Sequence, residues 1–313
     1  MNSFLKDNKI KLYNFHNEFL LLCNLINKSK IHNSLIISGK DGIGKTTFSN
    51  HLINYIFTHQ DSDSYNLQEF ELNIKNKSYN LIANNSHPNL HTVNLNEGKN
   101  FISIDQIRSM ITYANKSSFD NNYKIILINK SEHLNKNSSN ALLKILEEPS
   151  SKTVFIILQN SENKNLRTIQ SRCIKFELKL NFNETINTVN RILNDDIYNH
   201  INKEFLSFYS TPGFIIGLYN FSLNHSIDLK QINLNNFIKT IISKKLYEKN
   251  DFMNKNFHKF LEQYIRSLIF NNADKRKLFN YYDELIKKFN DAVIYNLDKE
   301  SLYLDYSKKL LNE

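Results

Sequence analysis

Half of the chain's glycines fall in one place. Of six Gly in 313 residues, Gly39, Gly42 and Gly44 lie within six positions of ISGKDGIGKTTF (37–48). Their spacing is Gly-x-x-x-x-Gly-Lys-Thr, fed by the β-branched run SLIIS (34–38) and followed by Phe48, Leu52, Ile53, Ile56 and Phe57 at helical intervals. A strand, a glycine loop and a helix in that order present backbone N–H groups at the positive end of a helix dipole, which suits a phosphate. The pattern marks Gly39, Gly42, Gly44, Lys45, Thr46 and Thr47 as nucleotide-binding. Lys45 is expected to reach the β- and γ-phosphates of ATP, and the Thr46 hydroxyl to coordinate its Mg²⁺. A glycine turn with an accidental lysine would need the flanking strand and helix to be coincidental.

The alternation of apolar runs and helical periods continues to about residue 178. LHTVNL (90–95), YKIILIN (123–129) and TVFIIL (153–158) read as strands. The spacing of Ile104, Ile107, Met110 and Ile111 predicts a helix over 104–116, and NALLKILEEP (140–149) a helix stopped by Pro149. Repeated units of this kind predict an α/β domain, a mostly parallel sheet flanked by helices. Beyond 178 helical patterns take over: Phe257, Phe260, Leu261, Tyr264, Leu268 and Ile269 share one face, and Leu278, Tyr282, Leu285, Ile286 and Phe289 another. The period switches near 178 and again near 235–245. The polar stretch 58–86 shows no clear pattern.

Length alone suggests two or three domains, at roughly 100–200 residues each. Lys and Arg exceed Asp and Glu by 40 to 31, a net charge of +9 that is spread along the chain and favours acidic partners only weakly. Cys23 and Cys173 stand far apart, which excludes a disulfide framework and a four-cysteine zinc site and fits a reducing cytoplasm. Runs such as FLLLCNLI (19–26) are far short of the roughly 20 residues that span a bilayer, so no membrane association is expected.

Binding is only half of an ATPase. A hydrolysing P-loop protein places an acid at the end of a second buried strand to hold magnesium and orient water. Here that strand ends in Asn129-Lys130-Ser131-Glu132. Asn129 is either a substitute without charge or an ordinary turn residue; Lys130 cannot act as a base. Glu132, two residues further on, belongs to the following loop or helix start.

The stretch NSSNALLKILEEPSSKTVFIILQNSENKNLRTIQSRC (137–173) carries the most specific signal. Asn140-Ala141-Leu142-Leu143-Lys144, Leu146-Glu147-Glu148-Pro149 and Ser171-Arg172-Cys173 resemble the clamp-loader branch of the AAA+ ATPases. Weaker likenesses occur at Ile31-His32, at His87-Pro88-Asn89-Leu90 and at Asn296-Leu297-Asp298, the last two similar to the delta-prime family of bacterial DNA polymerase III subunits. The resemblance is strong over 32–178 and faint beyond. It implies an AAA+ P-loop domain (1–178), a helical lid (179–240) and an all-α C-terminal collar for oligomerisation (241–313). It also implies that Arg172 is an arginine finger acting in trans on ATP held by a neighbouring subunit; the plain alternative is that Arg172 pairs with a carboxylate on its own surface. The hydrolysing relatives' Asp-Glu is replaced by Asn129-Lys130, their sensor position by Gln159-Asn160, and their lid arginine by Phe214 behind Pro212-Gly213. Relatives with a zinc module place it before the His-Pro segment; no cysteine is available here, so no zinc is expected.

The implied function is that of a non-hydrolysing subunit in a hetero-pentamer with γ/τ and δ subunits, which loads the sliding clamp on primer-template DNA through non-specific phosphate contacts. ATP and Mg²⁺ would be bound without efficient turnover. The alternative is the ATP-hydrolysing γ/τ-like motor, using Glu132 or a water network in place of the missing acids. A small-molecule kinase would need lid arginines, and 178–240 holds only Arg191. A scaffold with a vestigial P-loop is the remaining reading.

Overall fold

Neighbouring residues along three strands feed two different cores. In β1 (Ser34–Gly39), Leu35 and Ile37 point to one side and Ile36 to the other; in β3 (Lys124–Ile128) and β4 (Thr153–Asn160) the same alternation separates Ile125, Leu127, Val154, Ile156 and Leu158 from Ile126, Ile128, Phe155 and Ile157. Strands apolar on both faces belong in a parallel sheet covered by helices on each side. The computed structural model describes residues 10–306 apart from 97, 117, 119–121, 151, 163–166, 208–209, 272–274, 296 and 298–299. The Asn296 and Asp298 likeness therefore lies outside the described residues.

The sheet is parallel throughout, in the order β2-β3-β4-β1-β5, with β2 at Leu90–Val93 and β5 at Ile174–Glu177. Helices His16–Asn27 and Lys45–Thr58 cover one face through Phe19, Leu22, Phe48 and Leu52; Ile104–Ala114 and Lys136–Glu147 cover the other through Ile107, Met110, Leu142 and Ile145. The 104–114 helix starts on a capping box in which Ser103 and Gln106 satisfy each other's backbone donors. The sequence reading passed over β5, the helix His16–Asn27 and the short helices Lys77–Ala83 and Arg167–Gln170. Strand β5 is mostly exposed and has no apolar run, and the helix His16–Asn27 starts without a side-chain cap, behind Phe15 in the left-handed region.

The polar stretch 58–86 is tethered by aromatic packing. Phe19, at 0% exposure, has the rings of Phe48, His51, Tyr55, Tyr65 and Phe70 around it at centroid distances of 5.1–6.4 Å. The His51 ring and the Tyr65 hydroxyl hydrogen-bond at 2.7 Å, and a short helix follows at Lys77–Ala83. Among the described residues no group of three or more His, Cys, Asp or Glu could hold a metal, and no helix is long and apolar enough to cross a membrane.

The chain divides into two compact units, one of residues 1–192 with 211–213, the other of 193–210 with 214–313. All regular elements described in the second unit are helical; its longest helices are Asp251–Asn271 and Lys275–Ile294. Phe205, Phe237 and Phe260 pack edge to face, and Phe257 meets Tyr247 and Tyr303. Of the two apolar stripes read from sequence, Phe257, Phe260, Leu261, Ile269, Leu285 and Phe289 are buried core.

Candidate functional site

The loop after β1 is built by its glycines. Gly42 (φ 77°) and Gly44 (φ 108°) occupy left-handed backbone that a side chain disfavours, and a Cβ on Gly39 would lie 2.8 Å from the Leu178 carbonyl oxygen. Lys45 opens the following helix and folds back over the loop, its Nζ donating to the carbonyls of Gly39 at 2.7 Å and Lys40 at 2.8 Å. Burial lowers the Lys45 pKa against the opposing pull of Asp41, Glu132 and Glu162.

A cleft of about 360 Å³ opens beside the loop, lined by Asp41, Lys45, Thr46, Asn94, Leu95, Asn129, Lys130, Glu132 and Leu158. It lies at the carboxyl ends of β1, β2, β3 and β4, the end at which open parallel sheets bind ligands. Of the expected nucleotide-binding set, Lys45 and Thr46 line it; Gly39, Gly42 and Gly44 shape the loop, and Thr47 is half-buried outside the lining. Asp41, Asn94, Leu95 and Leu158 were missed. The carboxyl-end rule could have found Asn94 and Leu158; Asp41 stood inside the motif unread.

At the end of β3, Asn129 donates from Nδ2 to Asn94 Oδ1 at 2.6 Å, and its own Oδ1 is buried without a hydrogen-bond partner. Lys130 follows in the left-handed region, exposed. Glu132 does sit on the short helical turn after the strand, Ser131–His133, yet it reaches into the cleft, where its Oε2 accepts from the Asn160 N–H at 3.1 Å. Turn geometry makes this possible: the left-handed residue at 130 redirects the chain, so an acid two positions late points back at the strand ends. At the sensor position, Gln159 is buried and accepts from Gln170 at 3.3 Å, and the Asn160 side chain accepts from the Glu162 N–H.

The outer side of the loop is tied down from far along the chain. Thr211 Oγ1 donates to the Asp41 carbonyl at 2.8 Å and the Gly213 N–H to the Gly42 carbonyl at 2.9 Å. A Cβ at Gly213 would lie 2.8 Å from Gly42 Cα, so the approach needs glycine. Phe214, next in sequence, belongs to the second unit, where it packs against Phe252 and Phe260 under the Lys259 ammonium.

Arg172 lies outside the cleft lining. Its Nε donates to Glu147 Oε1 at 2.7 Å, its Nη2 pairs with the same oxygen, and its Nη1 donates to the Thr168 carbonyl at 2.8 Å and the Ser171 hydroxyl at 3.3 Å. Burial pushes the adjacent Cys173 thiol up to about 11.

The profile of the family described as DNA polymerase III, delta subunit, matches residues 16–181. The chain is 29% identical over 140 residues to the DNA polymerase III subunit delta′ of Pseudomonas aeruginosa, covering 45% of this chain and 41% of that one. It is 31% identical over 236 residues to the delta′ subunit of Buchnera aphidicola subsp. Schizaphis graminum, covering 68% and 67%. Over 165 residues it is 26% identical to a DNA polymerase III subunit gamma of Buchnera aphidicola subsp. Acyrthosiphon pisum, covering 53% and 43%. Its alignments thus span about two fifths of the P. aeruginosa and gamma relatives' lengths.

Proposed function

Because this chain belongs to the DNA polymerase III delta-subunit family, we propose that it serves as the delta-prime-type subunit of a clamp loader, a cytoplasmic ring component that holds nucleotide without turning it over. The observation that carries this reading is the end of β3. The loop, Lys45 and Thr46 offer a phosphate cradle, but the strand-end position facing it holds Asn129, an amide already committed to Asn94. Its buried Oδ1, without a partner, is a neutral oxygen that could meet a hydrated cation, and lacks the charge of the usual ligand. ATP with Mg²⁺ therefore fits, weakly held: Lys45 would leave the Gly39 and Lys40 carbonyls for the β- and γ-phosphates, and Thr46 would face the metal.

The subunit's own chemistry is then Arg172, offered in trans to a neighbour's γ-phosphate, where arginine fingers contribute a factor of about 10³–10⁵. The partners are the γ/τ and δ subunits, the sliding clamp and primer-template DNA. Residues 179–240 act as lid and 241–313 as the collar that joins the ring. The free thiols Cys23 and Cys173 suit a reducing compartment.

The motor reading has one observation in its favour, since Glu132 lines the cleft near Lys45. Turnover by the purified chain decides between them. The proposal expects no ATP hydrolysis above background, with or without primed DNA, and measurable nucleotide binding lost in Lys45→Ala. Hydrolysis abolished by Lys45→Ala would establish the motor instead. For the finger, a loader reassembled with Arg172→Ala is expected to form normally and to hydrolyse ATP at the one site Arg172 serves at least about 10³-fold more slowly.

A further inference from the structure

The geometry around Arg172 points to Glu147 as a positioning residue for the finger, an inference that rests on the trans role proposed above. Every nitrogen of the guanidinium is engaged on its own chain: Nε and Nη2 by Glu147 Oε1, Nη1 by the Thr168 carbonyl and the Ser171 hydroxyl. A guanidinium carries five N–H donors, so this grip on the Nε edge leaves an Nη2 N–H for a ligand. A long, flexible arginine must surrender rotamer freedom before it can strike a phosphate; one fixed beforehand does not.

Glu147 is poorly placed for any purpose of its own helix. It is the last residue of Lys136–Glu147, where the negative end of the helix dipole disfavours a carboxylate. Its side chain is 50% exposed, that of Arg172 33%. Two opposite effects on the finger follow. A carboxylate partly cancels the cation's charge, which would weaken its pull on a phosphate; the same carboxylate fixes its direction. At this exposure solvent weakens both effects, but the hydrogen bonds to Nε and Nη2 are short-ranged and directional, so they hold the guanidinium's direction more than they cancel its charge at a phosphate beyond it.

The test uses the loader reassembled from its own subunits, with steady-state ATP hydrolysis on primed DNA. Glu147→Gln is expected to lower kcat at the site Arg172 serves by up to about fivefold at unchanged KM, with partial recovery in Glu147→Asp and no further loss when added to Arg172→Ala. Melting curves of the free variants show whether they fold. If Arg172→Ala is slow while Glu147→Gln is unchanged or faster, the positioning role is overturned and the finger stands. An additional loss from Glu147→Gln in the Arg172→Ala background also overturns it. If Arg172→Ala itself turns over normally, the finger falls and the Glu147 role falls with it.

Discussion

The side-chain amide of Asn129 donates to Asn94 Oδ1 at 2.6 Å, tying the carboxyl ends of β3 and β2 together across the floor of the cleft. A carboxylate at 129 would turn two acceptors toward each other unless the Asn94 amide flipped to donate. Asn94 can flip, because its Oδ1 and Nδ2 are nearly isosteric. Asn129→Asp is therefore expected to make nucleotide binding by the free chain more dependent on magnesium, without starting hydrolysis, since Lys130 still occupies the next position. Calorimetric titration with and without Mg²⁺, alongside a phosphate-release assay, reads both outcomes.

Phe19 joins the stretch 65–70 to the helices on one sheet face through its ring contacts with Tyr65 and Phe70. Phe19→Ala is expected to cost about 3–5 kcal/mol of stability, measured by urea unfolding, and to make the segment around Tyr65 and Phe70 cleavable by protease.

The close approach of Gly213 to Gly42 gives a sharper expectation. Gly213→Ala brings a methyl against backbone that cannot rotate away, and is expected to destabilise by about 1–3 kcal/mol. Gly98, where a Cβ meets nothing within 4 Å, is a control for space though not for its positive φ of 69°. Denaturant midpoints of the two variants check the difference.

The Glu147–Arg172 pair is half-exposed, so its removal is expected to change stability by at most about 1 kcal/mol. A loader defect in Glu147→Gln or Arg172→Ala with unchanged unfolding midpoint is then a defect of function.

Burial pushes the Cys23 thiol up to about 12 and that of Cys173 up to about 11 from an ordinary 9.0. Raised values mean that the folded state holds protons the unfolded chain has released. That stabilisation is complete below pH 9 and is lost as pH climbs through about 11 and 12. Lys45, with its pKa lowered, works in the opposite sense over its own shifted range. With the two thiols and the buried tyrosines Tyr65, Tyr113, Tyr281, Tyr303 and Tyr306 all raised by burial, against lowered Lys45 and Lys124, the net expectation is stability falling above pH 9, and native thiols that resist iodoacetamide at pH 8 until the protein is unfolded. Melting temperature against pH and alkylation by mass spectrometry test each half.

The sheet was legible in sequence because strands buried on both faces are written as unbroken apolar runs, as in KIILI and TVFIIL. Strand β5 was not, since Ile174-Lys175-Phe176-Glu177 lies at the sheet edge, and pairing with β1 rather than burial makes it a strand. Likewise the glycine loop announced Lys45 and Thr46, whereas Asn94, Asp41 and Leu158 enter the cleft only because the strands end side by side. The placement of Glu132 depended on a left-handed lysine at 130, a conformation that residue type does not advertise. Glu147 lay in plain view within the LEEP motif, but its pairing with Arg172, 25 positions on, is a tertiary fact.

The return of residues 211–213 to the first unit governs how the chain can be cut. A fragment ending at Ile192 keeps all five strands, the glycine loop and Lys45, so it looks like a finished nucleotide-binding module. It lacks Thr211 and Gly213, and with them the two donors on the Asp41 and Gly42 carbonyls. Truncation would therefore loosen the cradle without removing a single cradle residue, and weak nucleotide binding by such a fragment would measure the cut rather than the protein.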